Sequence, residues 1–207
     1  MSGNIVHGVS LAGETDIYLF KEGSHSRLYE FLGAHALEHD GVSGVLFAVW
    51  APNAEDVSVV GDFNGWDCGE HRLSPRWDSS GIWEGFVPDV QEYSCYKYSI
   101  LTKSGERVEK EDPFAFFAEV PPRTASKVYS LSHEWNDDRW MSERGKKNGR
   151  KSPQSIYEIH AGSWRRSPDN SMLTWIDLAE ELPRYLTDNG FTHVEFMPVM
   201  EHPFYGS

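Results

Sequence analysis

Four side chains near the end of the chain have the types and spacing for acid/base chemistry: Glu158, His160, His193 and Glu195. Glu158 and His160 stand two apart in one apolar run, and His193 and Glu195 stand two apart in another. On extended backbone, residues two apart share a face, so neighbouring strands would bring all four together. Two carboxylates flanking a bond are what glycoside cleavage generally requires. The competing reading is a hydrogen-bonded polar layer at the interior or mouth of a barrel. It is preferred, because nothing in the spacing sets the depth of these groups relative to a substrate. A metal site from His193, Glu195, Glu201 and His202 is the weakest alternative, since the helical i, i+4 spacing of a zinc-protease motif is missing. No metal and no cofactor is expected. The chain carries no Gly-x-Ser-x-Gly elbow, dinucleotide fingerprint or phosphate loop. Cys68 and Cys95 have no partner that would make either a nucleophile.

Trp66 is a candidate of another kind. It follows Asn64-Gly65, a strong turn signal that favours exposure of the next side chain. An exposed indole can stack on the apolar C–H face of a sugar ring. It can equally fold back over the edge of a sheet, and the local pattern leaves both readings open.

The elements that must position these residues fall into two groups. From Gly44 to about Ser132 the chain reads as all-β. Val45–Trp50, Val57–Val60, Gly81–Val87 and Tyr93–Leu101 are β-branched, aromatic or alternating runs separated by turns, the signature of a β-sandwich. Trp50 and Trp83 lie within these runs and are expected to be largely buried. Before them, Asp16–Phe20 is a short apolar run, and Arg27–Leu32 could form one or two helical turns ended by Gly33. Glu143–Ser152 is polar and basic, with Lys146, Lys147, Arg150 and Lys151, and reads as a solvated linker. Beyond it the period changes. Ser155–His160 is a strand candidate. Trp175, Ala179, Leu182 and Leu186 recur at helical spacing behind the capping residue Thr174, with Pro183 expected to kink or shorten the helix. Phe191–Met197 is a second strand. Strand, helix and strand make one βαβ unit of a parallel sheet, and a single unit cannot cover its own sheet. An unfinished domain is therefore expected.

Composition narrows the functional classes. The net charge of −13 argues against nucleic acid, which needs a basic stripe. Two cysteines are too few for a secreted disulfide framework and fit a reducing cytoplasm. No secretory start and no membrane-length apolar run is apparent. Eight tryptophans suit either an aromatic β core or a surface that meets sugar rings.

Phe47-Ala48-Val49-Trp50-Ala51-Pro52-Asn53-Ala54, followed by Val57 through Gly61-Asp62-Phe63-Asn64-Gly65-Trp66-Asp67, resembles carbohydrate-binding module family 48. Gly81–Glu84, Tyr96-Lys97-Tyr98, Lys110–Ala115 and Pro121–Ser126 continue the match. Ser155–Arg166 and Gly190–Phe204 are similar to the first two barrel strands of glycogen branching enzymes in glycoside hydrolase family 13. Several motifs in order cover nearly the whole sequence, from about Asp16.

The resemblance implies an N-terminal extension over 1–43 packing on an immunoglobulin-like β-sandwich over 44–132, a linker over 133–152, and the start of a (β/α)8 catalytic barrel over 153–207. It implies an α-glucan partner, with Trp66 and Lys97 aligned to the stacking Trp and its accompanying Lys in sugar-binding relatives. A monomeric parent is expected. The second stacking Trp that glycogen-sensing relatives carry on the following hairpin is replaced here by Lys103–Val108, so glucan binding is expected to be modest. The parent would cut α-1,4 links with retention and pass the chain to a 6-hydroxyl. Its catalytic carboxylates come from later strands, so none is assigned here. The alternatives are a trehalose-releasing or debranching relative, or a glucan-binding module without catalysis.

Overall fold

The structure, a computed structural model, describes residues 4–200, so Glu201 and His202 of the metal alternative lie outside the described residues. The chain divides into two compact units, Met1–His133 and Glu134–Ser207, each with its own core.

The first unit opens with helix α1 (Glu14–Glu22), where the sequence showed only a short apolar run. Asp16 starts it by accepting the Gly13 amide at 2.8 Å, and Gly23 ends it at φ 72°, which costs glycine nothing. A short 3-10 turn, Leu28–Glu30, follows. Strand β1 (Gly33–His39) then enters the sheet ahead of Gly44, where alternation was expected to begin. It pairs antiparallel with β2 (Val42–Trp50), and β3 (Ala54–Gly61) follows. After them come β4 (Ser74–Pro75), β5 (Ile82–Pro88), β6 (Cys95–Thr102), β7 (Arg107–Lys110), β8 (Phe117–Ala118) and β9 (Ser126–Lys127).

One sheet runs β1-β2-β5-β4. The other runs β3-β6-β9-β8, with β7 also paired to β6. Val45, Phe47, Val49, Val57, Val59, Val87, Tyr96 and Tyr98 fill the β-sandwich core. Ala48 and Ile82, on the other face of the first sheet, pack instead with Ile17, Phe31 and Leu32. Both faces of β2 are thus covered, which explains its unbroken apolar run.

Trp83 is half-buried, packs against the sandwich core and donates its indole N–H to Ala51 O at 3.0 Å. Trp50 corrects the expectation of burial, because 56% of it is exposed. It is the last residue of β2 and lies beyond the final β1 pairing, Gly33 with Ala48. Phe20 still packs beside it, the two rings 5.9 Å apart with their planes at 82°.

In the second unit, helix α2 (Asp138–Lys147) occupies much of the stretch whose composition read as linker. Its Glu143 pairs with Lys147 at 2.9 Å and Arg139 at 3.5 Å, i, i+4 contacts that support an exposed helix. Strand β10 (Ile156–Ile159), the short helix α3 (Ala161–Trp164), helix α4 (Trp175–Asp188) and strand β11 (His193–Phe196) complete the described order. β10 and β11 pair in parallel, the βαβ arrangement that the periodicity predicts. Thr174 caps α4 by accepting the Asp177 amide at 3.2 Å, while Asp177 accepts the Thr174 amide at 3.0 Å.

Pro183 sits within α4 without shortening it. It removes one backbone donor, yet the helix continues to Asp188, with Leu182 before it and Leu186 after it both packed on the second core. Leu178 and Leu182 bury against Ile159, whereas Trp175 and Ile176 are 62% and 73% exposed. Val194 and Phe196 are also exposed, so α4 covers β10 better than β11. With only three buried residues in this core among the described residues, its amides should exchange at least about 100-fold faster than those of β2, β3 and β6 in native-state hydrogen exchange. Equal protection in the two units would contradict this account of the second core.

Candidate functional site

The sequence from Gly61 to Asp67 folds into a turn locked by one side chain. Asn64 Oδ1 accepts the Gly61 amide at 2.9 Å, and its Nδ2 donates to Val59 O at 3.0 Å and lies 3.0 Å from His71 Nδ1. Gly61 has no room for a side chain, since a Cβ there would lie 2.3 Å from Cys95 O. Gly65 and Trp66 both take left-handed backbone, at φ 62° and 64°. For glycine that is free; for tryptophan it costs about 1 kcal/mol. The Trp66 amide is secured by Gly61 O at 3.0 Å. Its indole Nε1 donates to Asp62 Oδ1 at 3.3 Å, which fixes the ring edge. The residue is 38% exposed, so part of the indole is open to solvent.

Asp62 connects this turn to β6. Its Oδ2 accepts the Cys95 amide at 2.9 Å, and Gly61 is in register with Tyr96 as Val60 is with Lys97. Tyr96 points into the core, so Cys95 and Lys97 on either side point outward. Lys97 is half-buried, and its ammonium donates to Thr124 Oγ1 at 2.8 Å. Burial, with the Asp62 and Glu119 carboxylates nearby, pushes the Cys95 thiol up to about 11, so it stays protonated and is no nucleophile. This end of the sheet therefore carries Trp66 on a turn tied to β6 through Asp62, and the outward Lys97 on β6 itself, bonded to Thr124. Such a surface can stack a sugar ring and bond its hydroxyls.

Sequence reasoning singled out Trp66 and Lys97, read Asn64 as a turn residue only, and missed Asp62 and Thr124, which also position them. Only Asn64 carried a local signal, as an Asn before Gly within a turn.

The acid/base quartet looks different. Register places Glu158 directly beside Glu195, and Ile156 beside His193. Both carboxylates are exposed, on the sheet face opposite buried Ile159. His160 ends the strand and leads into α3, with Nδ1 2.7 Å from Ser163 Oγ. His193 Nδ1 lies 2.8 Å from Thr192 Oγ1. Among the described residues no hydrogen bond joins any two of the four, and no group of His, Cys, Asp or Glu is arranged to hold a metal. The strands align the two glutamates but do not build an acid/base pair from them.

Residues 31–115 match the family profile of carbohydrate-binding module 48 (Isoamylase N-terminal domain). Over 198 residues, 95% of its length, the chain is 55% identical to the 1,4-alpha-glucan branching enzyme of Albidiferax ferrireducens, of which it covers 31%. It is 53% identical to that of Aquifex aeolicus over 200 residues, covering 96% of this chain and 32% of the relative. The chain thus spans about a third of the length of these curated relatives. Among solved structures, a Group B Streptococcus pullulanase in complex with maltotetraose superposes with a TM-score of 0.58 at 21% identity, over 83% of this chain and 24% of that one. At that identity the likeness speaks for the fold alone.

Proposed function

We propose that this chain, whose residues 31–115 form a carbohydrate-binding module 48 domain, is the N-terminal portion of a 1,4-α-glucan branching enzyme, with the sandwich serving to hold α-glucan. The observation that carries the reading is identity above 50% across nearly the whole chain, including the second unit. A free-standing binding module would not need the βαβ segment. The Group B Streptococcus pullulanase shares the fold at 21% identity, which speaks for the fold alone.

In this reading Trp66 and Lys97 make the glucan contact. The second unit is the start of a (β/α)8 barrel, and Glu158 and Glu195 form part of its polar interior rather than its catalytic pair. The exposed Val194, Phe196, Trp175 and Ile176 then meet later strands and helices. The reaction is a double displacement. A carboxylate beyond residue 207 attacks C1 of an α-1,4-linked glucosyl unit while an acid protonates the departing O4. The same acid, now a base, takes the proton of an acceptor 6-hydroxyl as its oxygen displaces the carboxylate from C1. The site is a cytoplasmic one acting on a storage polysaccharide, in a monomer, without metal or cofactor.

The test compares the 207-residue chain with the protein that carries its continuation, both incubated with amylose. Iodine absorbance and new α-1,6 branch points are the readout. The longer protein should shift the iodine colour and form branches, and the 207-residue chain should do neither. Turnover by the short chain would sink the placement of the catalytic groups. Hydrolysis without branching by the longer protein would favour a sister activity.

A further inference from the structure

Trp50 lies in the first unit at the end of the strands opposite the Trp66 turn. β3 begins at Ala54, beside Trp50, and ends at Gly61, where the Trp66 turn starts. Seven residue-to-residue steps of strand separate Ala54 from Gly61, about 23 Å at strand rise. More than half of the Trp50 indole is exposed, yet the ring is held on two sides. Its Nε1 donates to Ser80 O at 3.1 Å, and Phe20 presses edge-on against it. Gly81 makes the close approach possible, because a Cβ there would sit 3.2 Å from that Nε1 and 2.7 Å from Pro52. A rigid aromatic face that keeps water on one side is costly to leave bare and needs little ordering when a ligand arrives.

The ring lines an open groove of ≈460 Å³ together with Pro52, Asn53, Thr102, Lys103 and Ser104. The Asn53 and Lys103 side chains are exposed and bond to nothing else among the described residues. The Thr102 and Ser104 hydroxyls lie 2.8 Å apart and offer further acceptors. No carboxylate lines the groove, in a chain with a net charge of −13. An anionic or cationic ligand would need a denser set of opposite charges. A flat apolar face ringed by amide, hydroxyl and a single ammonium suits a neutral polyhydroxylated ring.

We propose that the Trp50 groove is a second α-glucan subsite, independent of Trp66, so that the sandwich engages the polymer at both ends of β3. The inference rests on the reading of the sandwich as a glucan-binding module. Two weak sites on one polymer raise retention beyond either alone, because the second contact forms at high local concentration. This also offsets the missing second Trp on the Lys103–Val108 hairpin: the groove takes its stacking ring from β2 and only polar groups from the hairpin.

The test follows the indole N–H signals of the 15N-labelled 207-residue chain during titration with maltotetraose. Trp50→Leu and Trp66→Gly assign the two signals. Both should move in the wild type, and the Trp50 signal should keep the same midpoint in Trp66→Gly. The exposed double variant Asn53→Ala/Lys103→Ala, which leaves the packing intact, should weaken the Trp50 midpoint at least about threefold and leave the Trp66 midpoint alone. On a glycogen affinity gel, Trp50→Leu in the Trp66→Gly background should lower residual retention by about tenfold. A Trp50 signal that stays still while the Trp66 signal moves overturns the second subsite and leaves the module reading standing. If neither signal moves, the reading beneath it falls as well.

Discussion

Trp66→Gly should greatly reduce retention of the chain on a glycogen affinity gel while the sandwich stays folded. An indole that covers a sugar face removes apolar surface from water at roughly 25 cal/mol per Å². The Lys97 ammonium adds a charge-assisted bond of about 1.5–3 kcal/mol before its desolvation is subtracted. Together they give millimolar to high micromolar binding, about 4–6 kcal/mol, and Trp66 supplies most of the surface. Glycine is the informative replacement. It removes the ring and, because Trp66 sits at φ 64°, also relieves about 1 kcal/mol of backbone strain. That relief offsets much of the packing lost from a residue already 38% exposed. Trp66→Ala keeps the strain and loses the packing, so it should be the less stable of the two with the same binding defect. A folded Trp66→Gly protein retained like the wild type would place the glucan contact elsewhere. Melting by several kcal/mol would make the ring part of the core.

The sandwich was readable where a strand has one simple environment. Alternation and turns located β2, β3, β5 and β6 because their residues meet a packed layer. β1 was missed because Gly33-Ala34-His35-Ala36 is a string of small and polar residues, and an edge strand of that kind gains its order from pairing with β2. α1 was missed because Ile17 alone is buried, which gives almost no periodicity. Trp50 was misjudged for the opposite reason. Its neighbours Val45–Val49 are buried on both faces, so the run looked uniform, but pairing with β1 stops at Ala48 and the last side chain escapes cover.

The candidate site was partly readable for the same kind of reason. Asn64-Gly65 announces a turn by its own chemistry, so Trp66 could be placed after it. Asp62 and Thr124 act only across strands, on Cys95 and Lys97, and no local pattern marks them. Glu158 and Glu195 show the limit from the other side. Periodicity put each of them on a strand face, and strand pairing sets them side by side, but chemistry depends on depth and partners, and neither follows from a period of two.

Asp112→Ala should destabilise the first unit by about 3 kcal/mol or more, a large share of the roughly 5–15 kcal/mol that holds a domain together. Asp112 is 6% exposed within the sandwich. Its Oδ2 accepts Tyr96 OH at 2.6 Å and Tyr98 OH at 3.3 Å, its Oδ1 accepts the Phe114 amide at 2.8 Å, and its own amide donates to Ser126 Oγ at 2.9 Å. Removing the carboxyl strands the Tyr96 hydroxyl and the Phe114 amide. Tyr98 can still turn to Ala48 O at 3.3 Å. Asp112→Asn should also be costly, because both carboxyl oxygens face donors and an amide NH2 would meet one of them. The pH dependence has a definite sign. Burial, opposed by the hydrogen bonds of Tyr96, Phe114 and Tyr98, raises this carboxyl above the ordinary carboxylate range. Between the ordinary value and the raised one, the folded protein keeps a proton that the unfolded chain releases. The contribution of Asp112 to stability is therefore largest at low pH, falls as pH rises through the folded value, and is flat above it. Urea denaturation followed by tryptophan fluorescence, at steps from pH 3.5 to 7, should show the gap between wild type and Asp112→Ala narrowing with rising pH. A gap that widens instead would mean that the tyrosine hydroxyls and the amide outweigh burial and hold Asp112 ionised.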